Sequence, residues 1–465
     1  MKKILAIVII TLFCIKMYSQ QSSRNGIYWP TKDTIRCLVV FVSYYNAPDS
    51  TKTIPANANT YFNATMPTDR NQLVGITKYF YEASFGKLVV LGDYVNKVIV
   101  VNSSAINNNY NDHLSVFPAL DLALANDSTT KSGFSINRHF DNWSYFENGI
   151  PKVKTPNKFI DVLVMIHIPS TRYDGSGYTK QTPIISEILD MDGVSIYTSS
   201  SRGLDVVRHE LAHSLLGGNS YHSGGGNSGE RWTLSPMGGY SLLSGSNRNF
   251  NSINGWDRWR LGWFSDSAIS KKLEIYALNE QQNLIQSDID SSIGTQTFIL
   301  RDFTKYGDAI RIKLPYIGSQ SDGLYPVDQW LWIENHQVLP NTTEALNENG
   351  VRPAGIRINY QIGKNDLNYN EPVRNHLITP MVPFGNFDFT YTPEIDIANT
   401  DYTTKRTIVT NSNLANPFTG YNFSHVHAYN TIYDNTILGG EYIIPGSMIF
   451  DEKMYDYSNM FNCNP

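Results

Sequence analysis
The stretch Val206-Val207-Arg208-His209-Glu210-Leu211-Ala212-His213-Ser214-Leu215 decides how this chain is read. On an α-helix, positions four apart share one face, so the imidazoles of His209 and His213 can point at one metal ion. Glu210 follows the first imidazole directly, where its carboxylate can take a proton from a water on that ion. The flanking residues predict the helix itself. Ser200 or Ser201 serves as N-cap, Asp205 lies in the first turn, and Gly217-Gly218 ends it. Val206, Val207, Leu211 and Leu215 supply an apolar face for packing. A buried helix that carries two histidines inward also needs something to satisfy their ring nitrogens.

Catalytic zinc takes three protein ligands and keeps one position for water. The extended pattern H-E-x-x-H-x-x-G-x-x-H is not followed here. Leu216 stands at the glycine position and Asn219 at the ligand position, and a neutral amide oxygen is a poor zinc ligand. The next imidazole is His222, and the glycine pair falls one and two positions late, as a longer turn would require. His222 is the expected third ligand, with Glu230 as the carboxylate alternative.

A chain of 465 residues is long enough for two or three structural units. Apolar residues make up 41%, enough for a large core, whereas charged residues are only 17%, a balance that suits a β-rich extracellular protein. The net charge of −5 comes without a long basic or acidic run, which argues against nucleic acid and anionic membranes as partners. Lys2 and Lys3 followed by the apolar residues 4–15 read as a secretory signal, with cleavage near Ser19. No small residue precedes Cys14, so a lipoprotein is not expected, and no later segment is apolar enough for a membrane helix. A secreted monomer is the expectation. Cys37 and Cys463 would remain in the mature chain and could pair there.

Along the chain, residues 35–45 read as a buried strand and 71–85 as a helix with Leu73, Ile76, Phe80 and Ala83 on one face. Residues 87–101 read as two short strands broken at Gly92-Asp93, and 120–125 as helical. The nearly continuous apolar run 159–168 predicts a central strand, and 194–198 another. In 251–264, Trp256, Trp259 and Trp263 fall at helical spacing and read as core. From 272 onward short alternating strands predominate, at 297–301, 309–314, 330–335 and 355–361. The expected class is α+β. A peptidase-sized unit, 20–270, holds a mixed sheet and the metal helix, and a β-sandwich-like unit, 271–465, follows the 1–19 signal and that unit. His425 and His427 share a face of a predicted strand and read as structural.

Several blocks, in order, resemble one family. Ile76-Thr77-Lys78-Tyr79-Phe80-Tyr81-Glu82-Ala83-Ser84-Phe85-Gly86-Lys87-Leu88, the strand Ile160 to His167, the Arg208 to His213 helix, Gly255-Trp256-Asp257-Arg258-Trp259-Arg260-Leu261-Gly262-Trp263 and Gln329-Trp330-Leu331-Trp332-Ile333-Glu334-Asn335 are similar to blocks of the secreted zinc metallopeptidases of the immune inhibitor A type. The resemblance spans roughly residues 35 to 360, with gaps, and order makes it more specific than one motif. It implies a metzincin-like zinc endopeptidase acting on polypeptides. In that family the third ligand is commonly an Asp soon after the glycine, to which Asn219 is nearest. A methionine turn is implied beneath the metal, from Met237 or, by local pattern, Leu243. Relatives hold calcium, for which Asp190-Met191-Asp192-Gly193 is the candidate here. The expected chemistry is hydrolysis by a zinc-bound water with Glu210 as general base and Tyr240 helping to hold the oxyanion. The competing expectation is a secreted binding or adhesive protein on a degenerate, inactive peptidase fold.

Overall fold
A computed structural model of the chain describes residues 31–102, 112–124, 129–142, 146–147, 150–151, 160–168, 178–181, 184–185, 190–199, 203–216, 242, 253–264, 273–290, 292–314, 329–337, 355–362, 378–380, 389–391 and 406–408. The fold is α+β.

The first half is built on β1 (Asp33–Tyr44), α1 (Gly75–Ala83), β2 (Leu88–Val101), α2 (Asp112–Leu124), β3 (Ile160–His167), β4 (Tyr178–Gln181), β5 (Asp190–Ser199) and α3 (Gly203–Leu216). The strands lie in the order β2-β1-β3-β5-β4. β1, β2, β3 and β5 run parallel, and β4 pairs antiparallel with β5 at the edge. Parallel strands covered on both faces need apolar side chains at nearly every position. All eight residues of β3 are buried accordingly, Asp161 and His167 included.

Strand alternation sorts the core into two clusters. Ile35, Cys37, Val39, Phe41, Val162, Val164 and Ile166 point toward α1 and α3. Leu38, Val40, Val42, Leu163 and Met165 point to the other face, under Val116, Phe117, Leu120 and Leu124 of α2. A sheet sandwiched between helices results.

Two elements differ from the sequence expectation. β2 is one 14-residue strand, not two. Gly92 pairs with Cys37 inside it, and the irregularity comes later, where Val39 opposes Tyr94 but Phe41 opposes Val98. Glycine stands at 92 because a Cβ there would come 2.7 Å from the Phe62 ring. The helix expected from 71 starts only at Gly75. Residues Arg70–Gln72 form a separate 3-10 turn capped by Asp69. Gly75 sits at φ +45°, and a Cβ would meet the Thr60 carbonyl oxygen at 2.3 Å. Leu73 is buried but belongs to the connection.

The second half contains α4 (Gly255–Arg260), β6 (Tyr276–Leu278), β7 (Leu284–Gln286), β8 (Asp288–Asp290), β9 (Ala309–Lys313), β10 (Gln329–His336), β11 (Gly355–Ile362) and β12 (Ile378–Pro380). β8 to β12 form a five-stranded sheet in sequence order, antiparallel except for the β8–β9 pair. The strand expected at 297–301 reduces to one bridge between Ile299 and Leu278. Trp256 and Trp263 are buried, although Trp263 lies beyond the end of α4, and half-buried Trp259 tilts against Trp332 at 5.9 Å. Tyr276, Phe303, Ala309 and Trp332 belong to the same core cluster as α1 and α3, so one core takes in residues from both sides of the expected boundary near 270. No helix among the described residues is long and apolar enough to cross a membrane.

Candidate metal centre
α3 begins four residues after β5 ends, so it packs back on β5, reaches β4, and lies beside α1. Val207, Leu211, Ala212 and Leu215 fix it in the core. At 100° per residue, His209 and His213 fall on the side away from Val207, Leu211 and Leu215. The helix ends at Leu216, directly before Gly217-Gly218 in the sequence.

His209, Glu210 and His213 are buried, with exposures of 6%, 5% and 9%. One donor atom from each lies within 4.8 Å of the other two, a grouping that could hold a metal ion. The imidazole centroids are 4.9 Å apart and their planes stand at 87°, so the rings meet edge to face rather than stacking. Two imidazoles and a carboxylate, desolvated together, are a donor set that suits zinc.

Arg208, one residue before His209, is buried against α1. Its guanidinium carbon lies 5.1 Å over the Tyr79 ring, and Nη1 donates to the phenol oxygen at 3.4 Å. Burial pushes the Tyr79 phenol up to about 12, with Arg208 pulling it down and Asp257 pushing it up. Asp257 of α4 is itself fully buried, and its Oδ2 accepts the Leu242 N–H at 2.8 Å. Its backbone N–H donates to the N-cap Asn254 Oδ1 at 2.8 Å.

α4 is held from three directions. Arg258 donates from Nε to the Ala83 carbonyl at the end of α1 and from Nη1 to the Phe303 carbonyl, between the rings of Phe85 and Phe303. Glu334 of β10 accepts the Gly255 N–H at 2.7 Å and the Asn359 amide at 3.3 Å, and its other oxygen pairs with His336 Nε2 at 3.0 Å. A Cβ at Gly255 would press on Trp332 and on that Glu334 oxygen.

Of the residues singled out in the sequence, His209, Glu210 and His213 are brought together. His222, Glu230, Asn219, Tyr240, Met237 and Leu243 lie outside the described residues, as do Cys463, His425, His427 and the 1–19 segment. Cys37 is fully buried on β1, and burial pushes its thiol up. Asp190-Met191-Asp192-Gly193 opens β5 in extended conformation, paired with Ile184–Ile185, rather than forming a loop. Asp257 and Arg258 escaped sequence reading because the tryptophans drew attention to packing. Asp257 and Arg258, adjacent opposite charges between Trp256 and Trp259, were the available signal.

No family model matches this sequence. No curated protein matches it either. The likeness to the immune inhibitor A-type peptidases therefore rests on the sequence blocks.

Proposed function
We propose that the chain is a secreted zinc-dependent endopeptidase, a metzincin-like unit followed by a β-sandwich-like one. The observation that carries this reading is the buried His209-Glu210-His213 group, with donor atoms within 4.8 Å of one another on a core-anchored helix. The strand order adds support, since an antiparallel edge strand, β4, runs beside that helix. An extended polypeptide adds to such an edge through backbone hydrogen bonds that tolerate many sequences.

In this reading His209 and His213 hold zinc as neutral imidazoles, joined by His222 or, as the carboxylate alternative, Glu230. Zinc, when bound, supplies Lewis acidity that polarises the scissile carbonyl and acidifies the attacking water. Glu210 does the proton work. Its carboxylate takes the water proton and hands it to the leaving amine. Tyr240 is the side-chain donor assigned to the developing oxyanion.

Glu210→Gln tests the reading. The expected variant keeps one zinc per chain and loses at least about a hundredfold in casein cleavage, the range for a lost general base. An active Glu210→Gln enzyme removes the assigned base. A wild-type chain that binds zinc yet cleaves no unfolded polypeptide is instead a binding protein on a degenerate peptidase fold.

A further inference from the structure
A half-open cleft of about 160 Å³ lies where β1 and β2 lose register, and no residue of α3 lines it. Its lining comes from the chain before α1, between Ala58 and Ala64, from Val39 of β1, from Gly92, Asp93 and Tyr94 of β2, and from Ser132. Local bonds hold these segments in place. Gly92 lets the Phe62 ring approach, because a Cβ there would stand 2.7 Å from it. The Asn63 carbonyl accepts the Gly92 N–H at 3.0 Å, and the Asn63 side chain accepts the Val74 N–H at 2.9 Å and donates to the Gln72 carbonyl at 3.1 Å. The turn 130–133 is tied to β2 by the Lys131 N–H, which donates to the Tyr94 carbonyl at 2.9 Å.

Asp93 is the charged residue of this lining, and it is 4% exposed. Its Oδ1 accepts the Tyr94 N–H and its Oδ2 the Ser132 N–H, each at 2.9 Å. Both donors are neutral backbone groups, and no Lys, Arg or His lines the cleft. Asp93 also acts on His139, but burial and then Arg36 hold that imidazole below its ordinary value, so it is neutral at neutral pH. Burial and then the Asp93 charge push the Tyr94 phenol up, so it stays a hydroxyl and donates to Asn59 Oδ1 at 3.1 Å. A carboxylate withdrawn from water is stabilised when a cation pairs with it. Tyr61, Phe62 and Tyr94 line the same space, and the electron-rich faces of aromatic rings attract an ammonium ion.

We propose that this cleft binds an aliphatic ammonium ion, with its charged head on Asp93 and its carbon stem among Tyr61, Phe62 and Tyr94. The cleft holds the volume of about five liquid waters, which suits a butylammonium-sized group. A divalent metal ion would need about six oxygen ligands around it, and the lining supplies one carboxylate. A free amine and the lysine side chain of a polypeptide both present this head. The site is independent of the zinc reading and uses none of its residues.

Saturation-transfer NMR on the full-length protein tests the proposal, with n-butylammonium chloride as probe and n-butanol as its uncharged match. Butylammonium is expected to bind at least about tenfold more tightly than butanol, because a desolvated charge pair outweighs a neutral hydrogen bond. Asp93→Asn should weaken butylammonium at least about tenfold. Ala64→Trp fills the cleft from a partly exposed position, breaks none of the bonds above and should abolish binding. That variant decides the question if the asparagine variant fails to fold. A blocked lysine, N-acetyl-lysine N-methylamide, that binds more tightly than butylammonium identifies lysine side chains as the source, and weaker binding identifies free amines. A wild type that binds no butylammonium overturns the proposal. So does butanol binding as tightly as butylammonium, or an Ala64→Trp variant that binds butylammonium as the wild type does.

Discussion

His167 ends β3, fully buried, with its Nδ1 sharing a 3.0 Å hydrogen bond with the Tyr44 hydroxyl and its ring stacked on that tyrosine. Burial disfavours the imidazolium and lowers its pKa from 6.5 to about 4. Between those values the unfolded chain takes up a proton that the folded chain refuses. The stability tied to His167 is therefore complete above about pH 6.5, declines as the pH falls toward 4, and levels off below. The difference amounts to about 3 kcal/mol. His167→Gln should lose that part of the pH dependence, which urea unfolding of wild type and variant at pH 7 and pH 4 will measure. The pairing of His209 with His213 was legible at this scale because a spacing of four is a property of the helix alone. Nothing local to His167 announced its partner, since Tyr44 is distant in sequence and meets it across two paired strands.

Among the elements, α4 is short, six residues, and far too short to be stable by itself. Its stability comes from what grips it. Arg258 lies with its guanidinium 4.3 Å from the Phe85 ring centroid and 4.1 Å from that of Phe303, and satisfies two buried carbonyls. Arg258→Met would keep much of the volume but remove both hydrogen bonds and the cation, leaving the Phe303 carbonyl only its Gly307 N–H, at a cost of about 3 kcal/mol. Equilibrium unfolding in urea should show that loss as a lower midpoint. Strands β1, β3, β9, β10 and β11 were readable from apolar patterning. The β2 irregularity and the late start of α1 were not, because Phe62 packing on Gly92 and the Thr60 carbonyl crowding Gly75 are contacts between segments. Likewise the apparent strand at 297–301 bridges only Leu278 among the described residues, and alternation without a paired strand makes no sheet.

Across the whole molecule, one core cluster joins β1, α1 and α3 to Tyr276, Phe303, Ala309 and Trp332. The change in pattern near 270 marks a change from mixed to β-rich sequence, and the packing continues across it. Removing a buried Phe or Trp side chain costs about 3–5 kcal/mol, against a total stability of about 5–15 kcal/mol for a domain. A fragment of residues 20–270, deprived of Phe303, Tyr276 and Trp332 together, is expected to lose fixed packing. Its near-UV circular dichroism should collapse, while the full chain keeps that signal through a shared transition. A fragment with a native-like spectrum and its own sharp melting would show the first unit to stand alone.

By itself the sequence determined the period-two and period-four regularities: buried strands, the helix of His209 and His213, and that imidazole pair with its adjacent carboxylate. These depend on backbone geometry over a few residues, which every segment carries within itself. Tertiary structure decided that Asp257 reaches Leu242, that Glu334 caps α4 from another sheet, and that Arg208 settles on Tyr79. Buried charges are stable only where distant groups supply their counterparts, and folding in three dimensions is what brings those groups within a hydrogen bond of each other.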